Sequence, residues 1–424
     1  MELRSLAQNA LQRLQHAGFD QALVRTSKRQ MDEININHNQ ASLFRSTEEI
    51  SLLMEGIIAG RKASITVTQL DEQALTAAVN DLLAAAERAP ADEANQVSSA
   101  QQIDHQQGPL HSDPELLASK AQEILTFRQA QAPAMQIQEG LASYTCRTVC
   151  LLTSKGTDLS ASVGYFELSV CGCAKQEQQN SSSNSAGGNC AELSLAPANE
   201  WFGIGEMMQT QEQLIVTQSL REKFVGEVIL APQAVEDLLY WLLAQLSDEC
   251  LLSGSSLYQQ ELNKVITSPL LSITNRHRAV DCLPFNEEGF VIPEIELLVD
   301  GKLQHLLPSF YASNKLKLPH LPTGNGWVIK PGQTKRAEMI AGVERGAIVN
   351  RLSMGDPAKN GDFSAVIKNS FLIEQGRQQH GLSEVMIAGN VANMLRDIVA
   401  VSQETLDTGA LSLPWLRISG VHFS

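Results

Sequence analysis

Residues 361–395 read GDFSAVIKNSFLIEQGRQQHGLSEVMIAGNVANML. Within them, FSAVIKNSFLIEQG (363–376) carries two apolar-rich arms that meet near Asn369, which predicts a hairpin. EVMIAG (384–389) predicts a further strand, and Asn390 stands where a cap for a helix over 391–397 belongs. Such dense strand patterning points to a sheet-built domain.

The neighbouring segments agree. EIELLVDGKLQHLLPS (294–309) is the clearest hairpin, two apolar arms joined by Asp300-Gly301. Glu227–Leu230 reads as a strand, and Pro232 opens a helix reaching about Asp248 with Val235, Leu238, Leu239, Leu242 and Leu246 inward. IVAVSQ (398–403) and LSLPWLRISGVHF (411–423) add strands.

The first half mixes both element types. Leu3, Leu6, Ala7, Ala10, Leu11 and Leu14 recur at helical spacing, and a second helix over 71–87 is closed by Pro90. Strand-like pieces occupy 21–26, 33–37, 42–47, 50–57 and 62–69, then 148–154 and 158–174. The polar stretch 90–112 reads as a solvated connection holding His105 and His111, and Asp113-Pro114 opens a third helix. Residues 176–189 read as a mobile polar loop, with 190–196 as its return strand. The expected fold is therefore α+β: an N-terminal mixed α/β domain over 1–215 and a strand-rich C-terminal domain over 216–424.

Composition narrows the function. The 424 residues carry 47 acidic and 32 basic side chains, a formal charge of −15, so direct nucleic-acid binding is not expected. No apolar run approaches the ~18 residues of a membrane span. Arg4, Gln8, Gln12 and Arg13 interrupt the N-terminus where a secretory signal would be apolar, so a cytoplasmic location without membrane contact is expected. Seven cysteines, an odd number, read as reduced core thiols, with Cys171 and Cys173 on one strand face.

Catalytic signatures are missing. There is no phosphate loop, no dinucleotide fingerprint and no G-x-S-x-G elbow. LSGSSL (252–257) reads as a linker. The nine histidines, at 16, 38, 105, 111, 277, 305, 320, 380 and 422, never pair at the spacing by which one helix presents two imidazoles to zinc. His305 alternates with Leu303 and Leu307 and reads as a packed or rim side chain. Asn286, Glu287 and Glu288 before Gly289 read as a turn rather than as paired catalytic carboxylates.

Four segments together resemble the TldD/PmbA family, in its PmbA (TldE) branch. They are GEVILAPQAVEDLL (226–239), FNEEGFVIPEIELLVDGKLQHLLPSFYASNKL (285–316), the 361–395 stretch and GALSLPWLRISG (409–420), in the family's order. SEVMIAGNVANML is the most specific of them. The resemblance implies a role in proteolysis. TldD-type members carry H-E-x-x-x-H on the helix after a Leu-Ala-Pro start, and a later cysteine completes their zinc site. Here Leu230-Ala231-Pro232 is kept, but Tyr240 and Gln245 fall where the histidines would lie and Trp241 where the glutamate would lie. No cysteine follows Cys282. Residues five apart stand about 140° beyond a full helical turn, so even the family pair needs a distorted helix.

The resemblance thus implies no catalytic residues and no metal in this chain. It implies a metal-free subunit of a TldD/TldE-type metallopeptidase assembly that processes or degrades unfolded or leader-bearing peptides. Zinc is then expected in a TldD-type partner, and a homodimer when the chain is alone. A stand-alone homodimeric peptidase and a peptide-binding scaffold without hydrolytic activity are the alternatives. For the peptide, Gly361, Asp362, Phe363 and Ser364 read either as part of a core hairpin or as an edge for strand addition. Trp327, in KLKLPHLPTGNGW (315–327), reads either as part of a surface loop or as peptide-facing.

Overall fold

The computed structural model describes residues 2–424, so Met1, the first residue of the expected N-terminal domain, lies outside the described residues. Two sheets organise the chain, with helices packed against both, in an α+β fold whose second half is the richer in strands.

The first sheet is built from β1 (Gln21–Asn37), β2 (Gln40–Ile58), β3 (Arg61–Val67), β4 (Gln102–Gln107), β5 (Met135–Thr153), β6 (Asp158–Gln176), β7 (Gln179–Asn180) and β8 (Asn184–Cys190). Its order is β3-β2-β1-β5-β6-β4, with β7 and β8 also pairing β6. Pairs are antiparallel except β4 on β6. Along β6 the burial alternates, the period-two signature of a half-buried strand. Helices α1 (Leu3–His16), α2 (Glu72–Arg88), α3 (Pro114–Gln131) and α4 (Ile204–Gln213) cover it. The Asp71 carboxylate caps α2 by accepting from the Gln73 and Ala74 amides, and Asp113 accepts from Leu116 at the start of α3.

Several short strands read from the sequence merge here, because residues such as Lys28–Gln30 lie between two partners that complete their backbone hydrogen bonds. Four expectations are corrected. Part of the 90–112 connection is β4, which places His105 in an edge strand beside Ala161. The 176–189 loop is largely β7 and β8, paired to β6. The 190–196 return strand is a single tight turn at Leu193–Leu195. Cys171 and Cys173 share the less buried face of β6 and are half-buried rather than core.

The second sheet comprises β9 (Thr217–Gln218), β10 (Phe224–Leu230), β11 (Ile273–Asn275), β12 (Glu296–Val299), β13 (Lys302–Leu303), β14 (Trp327–Ile329), β15 (Arg345–Val349), β16 (Arg351–Ser353), β17 (Asp362–Lys368), β18 (Ser370–Glu374), β19 (Arg377–Leu382), β20 (Met386–Asn390), β21 (Ile398–Asp407) and β22 (Leu411–Phe423). With it pack α5 (Pro232–Leu246), α6 (Asp248–Ser253), α7 (Phe310–Leu316), α8 (Arg336–Ala341) and α9 (Val391–Arg396). The central strand β22 pairs β10, β14, β20 and β21. Arg417 on β22 grips Glu227 on β10 through two bonds of 3.0 and 2.7 Å and also donates to the Gly342 carbonyl.

The Asp300-Gly301 hairpin forms with both turn residues at positive φ, 48° and 76°, as a two-residue turn of this hand requires. His305 lies just beyond it, exposed. The 363–376 hairpin does not form. One residue, Asn369 at φ 53°, separates β17 from β18, too few to close a turn, so the two strands diverge. β17 pairs β16 and β20, whereas β18 pairs β15 and β19. Asn369 is tied at the divergence, donating to the Ser183 carbonyl at 3.1 Å and accepting from Asn350 at 2.7 Å.

Loops and α7 of the second half clasp the first half. Glu287 pairs with Arg25 at 2.7 Å, Lys315 with Asp92 at 2.6 Å, and Phe285 enters a core cluster with Leu23, Ile57 and Leu151. Asn286–Gly289 is a turn bridged by Phe285 and Val291, as read from the sequence. Among the described residues no helix is long and apolar enough to cross a membrane.

Candidate functional site

Helix α5 begins at Pro232, whose missing N–H suits a first helical position, and buries Val235, Leu238, Leu239 and Leu242. Its geometry splits Tyr240, Trp241 and Gln245 between two faces. Tyr240 is 49 % exposed. Trp241 and Gln245, one turn apart, point into the protein and are buried.

The buried pair fastens a loop. Trp241 Nε1 donates to the Ala358 carbonyl at 3.1 Å. Gln245 Nε2 donates to the Lys359 carbonyl at 2.8 Å, while its Oε1 accepts from the Leu257 amide at 2.9 Å. The indole also meets Tyr258 edge-on, with centroids 6.2 Å apart.

That loop delivers the Gly361–Ser364 segment, so the structure brings two sequence-read groups together. Gly361 has φ 93°, and a Cβ there would stand 3.0–3.1 Å from the Asn390 amide and Trp241 Cζ2. The Asp362 carboxylate accepts from Asn390 Nδ2 at 2.9 Å and Asn360 Nδ2 at 2.8 Å, and these bonds hold it below the usual carboxylate range. Asn390 meanwhile caps α9 by accepting from the Asn393 amide. Phe363 is half-buried against the core and Ser364 is exposed.

The ladder of β17 shows which backbone groups face outward. The Ile367 amide bonds to Val385, so Phe363, Ala365 and Ile367 address β20, and the alternate residues address the opposite edge. On that edge Val366 meets Ser353, and the Asp362 carbonyl accepts from Ala358. Ser364 stands between them, making the open edge one residue wide. Trp327 is not nearby in function: it is 3 % exposed, in β14 between β11 and β22, and belongs to the main core cluster.

The other face of α5 borders a cavity of about 610 Å³ between the two halves of the chain. Phe202, Met207, Ile348, Phe371, Leu413 and Trp415 give it an apolar wall. Glu236 lines it, beside Tyr240; burial raises the Glu236 carboxyl. Burial and the Glu236 charge push the Tyr240 hydroxyl up to about 12. Asp237, one residue on, is raised to about 6 by burial first and Glu236 second, with Arg351 opposing. Sequence reading missed this cavity. Its walls come from β8, α4, α5 and β22, which only the folded chain assembles, and β8 read as a mobile loop.

Zinc does not fit the α5 positions. Tyr240 and Gln245 diverge, Gln245 spends both ends of its amide, and Trp241 offers no lone pair or proton-accepting group. Among the described residues no group of three or more His, Cys, Asp or Glu could hold a metal ion.

Residues 224–424 match the family model described as the PmbA/TldA metallopeptidase C-terminal domain. A "Metalloprotease PmbA homolog" of Haemophilus influenzae is 28 % identical over 188 residues, 40 % of this chain and 42 % of that protein. A "Zinc metalloprotease TldD homolog" of Saccharolobus solfataricus is 24 % identical over 225 residues, 48 % of this chain and 50 % of its own length. The matched stretch thus spans about half the length of these curated relatives or less. The crystal structure of TldE from Thermococcus kodakarensis superposes with a TM-score of 0.85 at 18 % identity, covering 99 % of this chain and 100 % of the other, which shows a shared fold. PmbA-named and TldD-named relatives both match, and residues 224–424, just under half of the chain, carry its likeness to the TldD/PmbA family.

Proposed function

We propose that this chain is a metal-free, PmbA/TldE-type subunit of a metallopeptidase assembly, one that holds unfolded or leader-bearing peptides for cleavage by a zinc-carrying TldD-type partner. The observation that carries the reading is the use of Trp241 and Gln245. At positions where the family places a base and a zinc ligand, both side chains instead fix the 354–361 loop. A subunit without ligands cannot lower the pKa of a metal-bound water, so bond cleavage falls to the partner. What remains to this chain is positioning. The proposed division at 215/216 then separates a supporting α/β domain from the domain that carries α5 and β17, and Ser364 is where an extended peptide would begin to add to β17. A cytoplasmic assembly accords with the reading, as does a homodimer of this chain in isolation.

Reconstitution tests it. The chain is mixed with a zinc-bearing TldD-type subunit and an unfolded peptide, and cleavage is followed by mass spectrometry. Cleavage should need both proteins. A Ser364→Pro variant, which removes only an outward-facing amide, should slow it with little change in melting temperature. Cleavage by the partner alone at the full rate contradicts the proposal.

A further inference from the structure

The cavity beside α5 contains two polar atoms that the fold leaves unsatisfied. Trp415 Nε1 and Asn184 Oδ1 are buried without a hydrogen-bond partner, and both residues line the cavity. Their residues are 9 % and 7 % exposed, so bulk water does little for either. Buried donors and acceptors in folded proteins are almost always paired, and an unpaired one of each kind in one cavity needs an explanation. Two other indoles offer a contrast: Trp201 donates to the Ala196 carbonyl and Trp241 to that of Ala358.

The remaining lining constrains the ligand. Arg336 stacks over the Trp415 ring at 4.8 Å and pairs with Glu206 at 2.7 Å, so these two opposite charges offset one another. Glu236 is the third charged residue on the wall, and its burial opposes ionisation. Asn350, Gln378 and Thr408 add neutral polar groups above the apolar wall. A cavity of about 610 Å³ lies within the ~300–1,000 Å³ of ordinary small-ligand pockets. One free donor, one free acceptor, offset charge and an apolar wall match an uncharged peptide segment better than a charged chain end.

We propose that this cavity binds a short internal peptide segment. A main-chain carbonyl accepts from Trp415 Nε1, a main-chain N–H donates to Asn184 Oδ1, and an apolar side chain lies against Phe202 and Ile348. The proposal deepens the reading of the chain as a peptide-handling subunit and rests on it, but the site is separate from the Ser364 edge.

The test uses the full-length chain, nitrogen-15 labelled at tryptophan, titrated with acetyl-Ala-Leu-Ala-amide. The Trp415 indole signal is assigned by its loss in Trp415→Phe. That signal should shift saturably with peptide, and calorimetry should show binding weakened about tenfold in Trp415→Phe and in Asn184→Ala. An ester analogue lacking the central N–H should bind the native chain more weakly but Asn184→Ala no more weakly than the peptide does. No shift of the Trp415 signal at millimolar peptide overturns the proposal, as does equal binding of ester and amide to the native chain. A shift of the Trp241 indole alone moves binding to the 361–364 edge and also overturns it. Loss of partner-dependent cleavage in reconstitution, with the Trp415 shift intact, would sink the assembly reading and leave the cavity assignment standing.

Discussion

Gln245 on α5 donates from its side-chain amide to the carbonyl of Lys359, 2.8 Å away and 114 residues later in the chain. A histidine in its place could offer one nitrogen to that carbonyl or to a metal. The glutamine amide also accepts from Leu257 and so joins three segments. At this helix position the side chain acts as a structural fastener.

Replacing Gln245 by leucine should therefore destabilise the protein by about 1–3 kcal/mol, because the Lys359 carbonyl and the Leu257 amide lose their partner. Hydrogen exchange should quicken across 354–361 and stay unchanged in β5 and β6. Exchange that rises evenly over the whole chain would show that the glutamine does not act on the loop.

Gly361→Ala tests the close approach of α5, α9 and the loop. A φ of 93° is costly for any residue with a Cβ, and the added methyl would press on Asn390 and Trp241. A loss of about 1–3 kcal/mol in urea unfolding is expected. A variant as stable as the parent would mean the backbone can relax there.

Asp237 gives a pH signature. Its folded-state carboxyl is raised from 3.8 to about 6, so the native state holds a proton that the unfolded chain releases. Stability from this group is full below about pH 4, declines as the pH rises from about 4 to 6, and stays reduced above that. Asp237→Asn removes the ionisation. It should raise stability at pH 8 by on the order of 1 kcal/mol, discounted for partial solvent exposure, and give no gain at pH 3.5. Equal effects at both pH values in urea titrations would refute the assignment.

Trp327 is core. Trp327→Ala should cost about 3–5 kcal/mol, whereas Trp327→Phe should keep partner-dependent peptide cleavage unchanged per folded molecule. A selective loss of cleavage in the phenylalanine variant, at unchanged stability, would return this residue to a peptide-facing role.

Local chemistry made much of the fold legible. Asp113 and Asn390 announced their helices because a side-chain oxygen ahead of an apolar-periodic run has a defined use. Asp300-Gly301 announced its turn for a similar reason. The polar strands β4 and β8 did not read as strands, because their ladder hydrogen bonds to β6 come from backbone groups and leave no apolar pattern. Asn369 misled because a turn residue looks the same whether its flanking strands pair or part. At the site, the absence of histidines from α5 was visible in the sequence. The work done by Trp241 and Gln245 was not, since their partners lie more than 110 residues away and are carbonyls, which any residue supplies.

Metal content is the most direct test of the central claim that this chain has no seat for a catalytic cation. The purified full-length chain is incubated with zinc, dialysed, and analysed by plasma mass spectrometry beside a TldD-type subunit treated identically. Zinc far below one ion per chain is the expected result, with an unfolded peptide left intact unless the partner is added. One zinc per chain, retained through dialysis and accompanied by peptide cleavage, would contradict it.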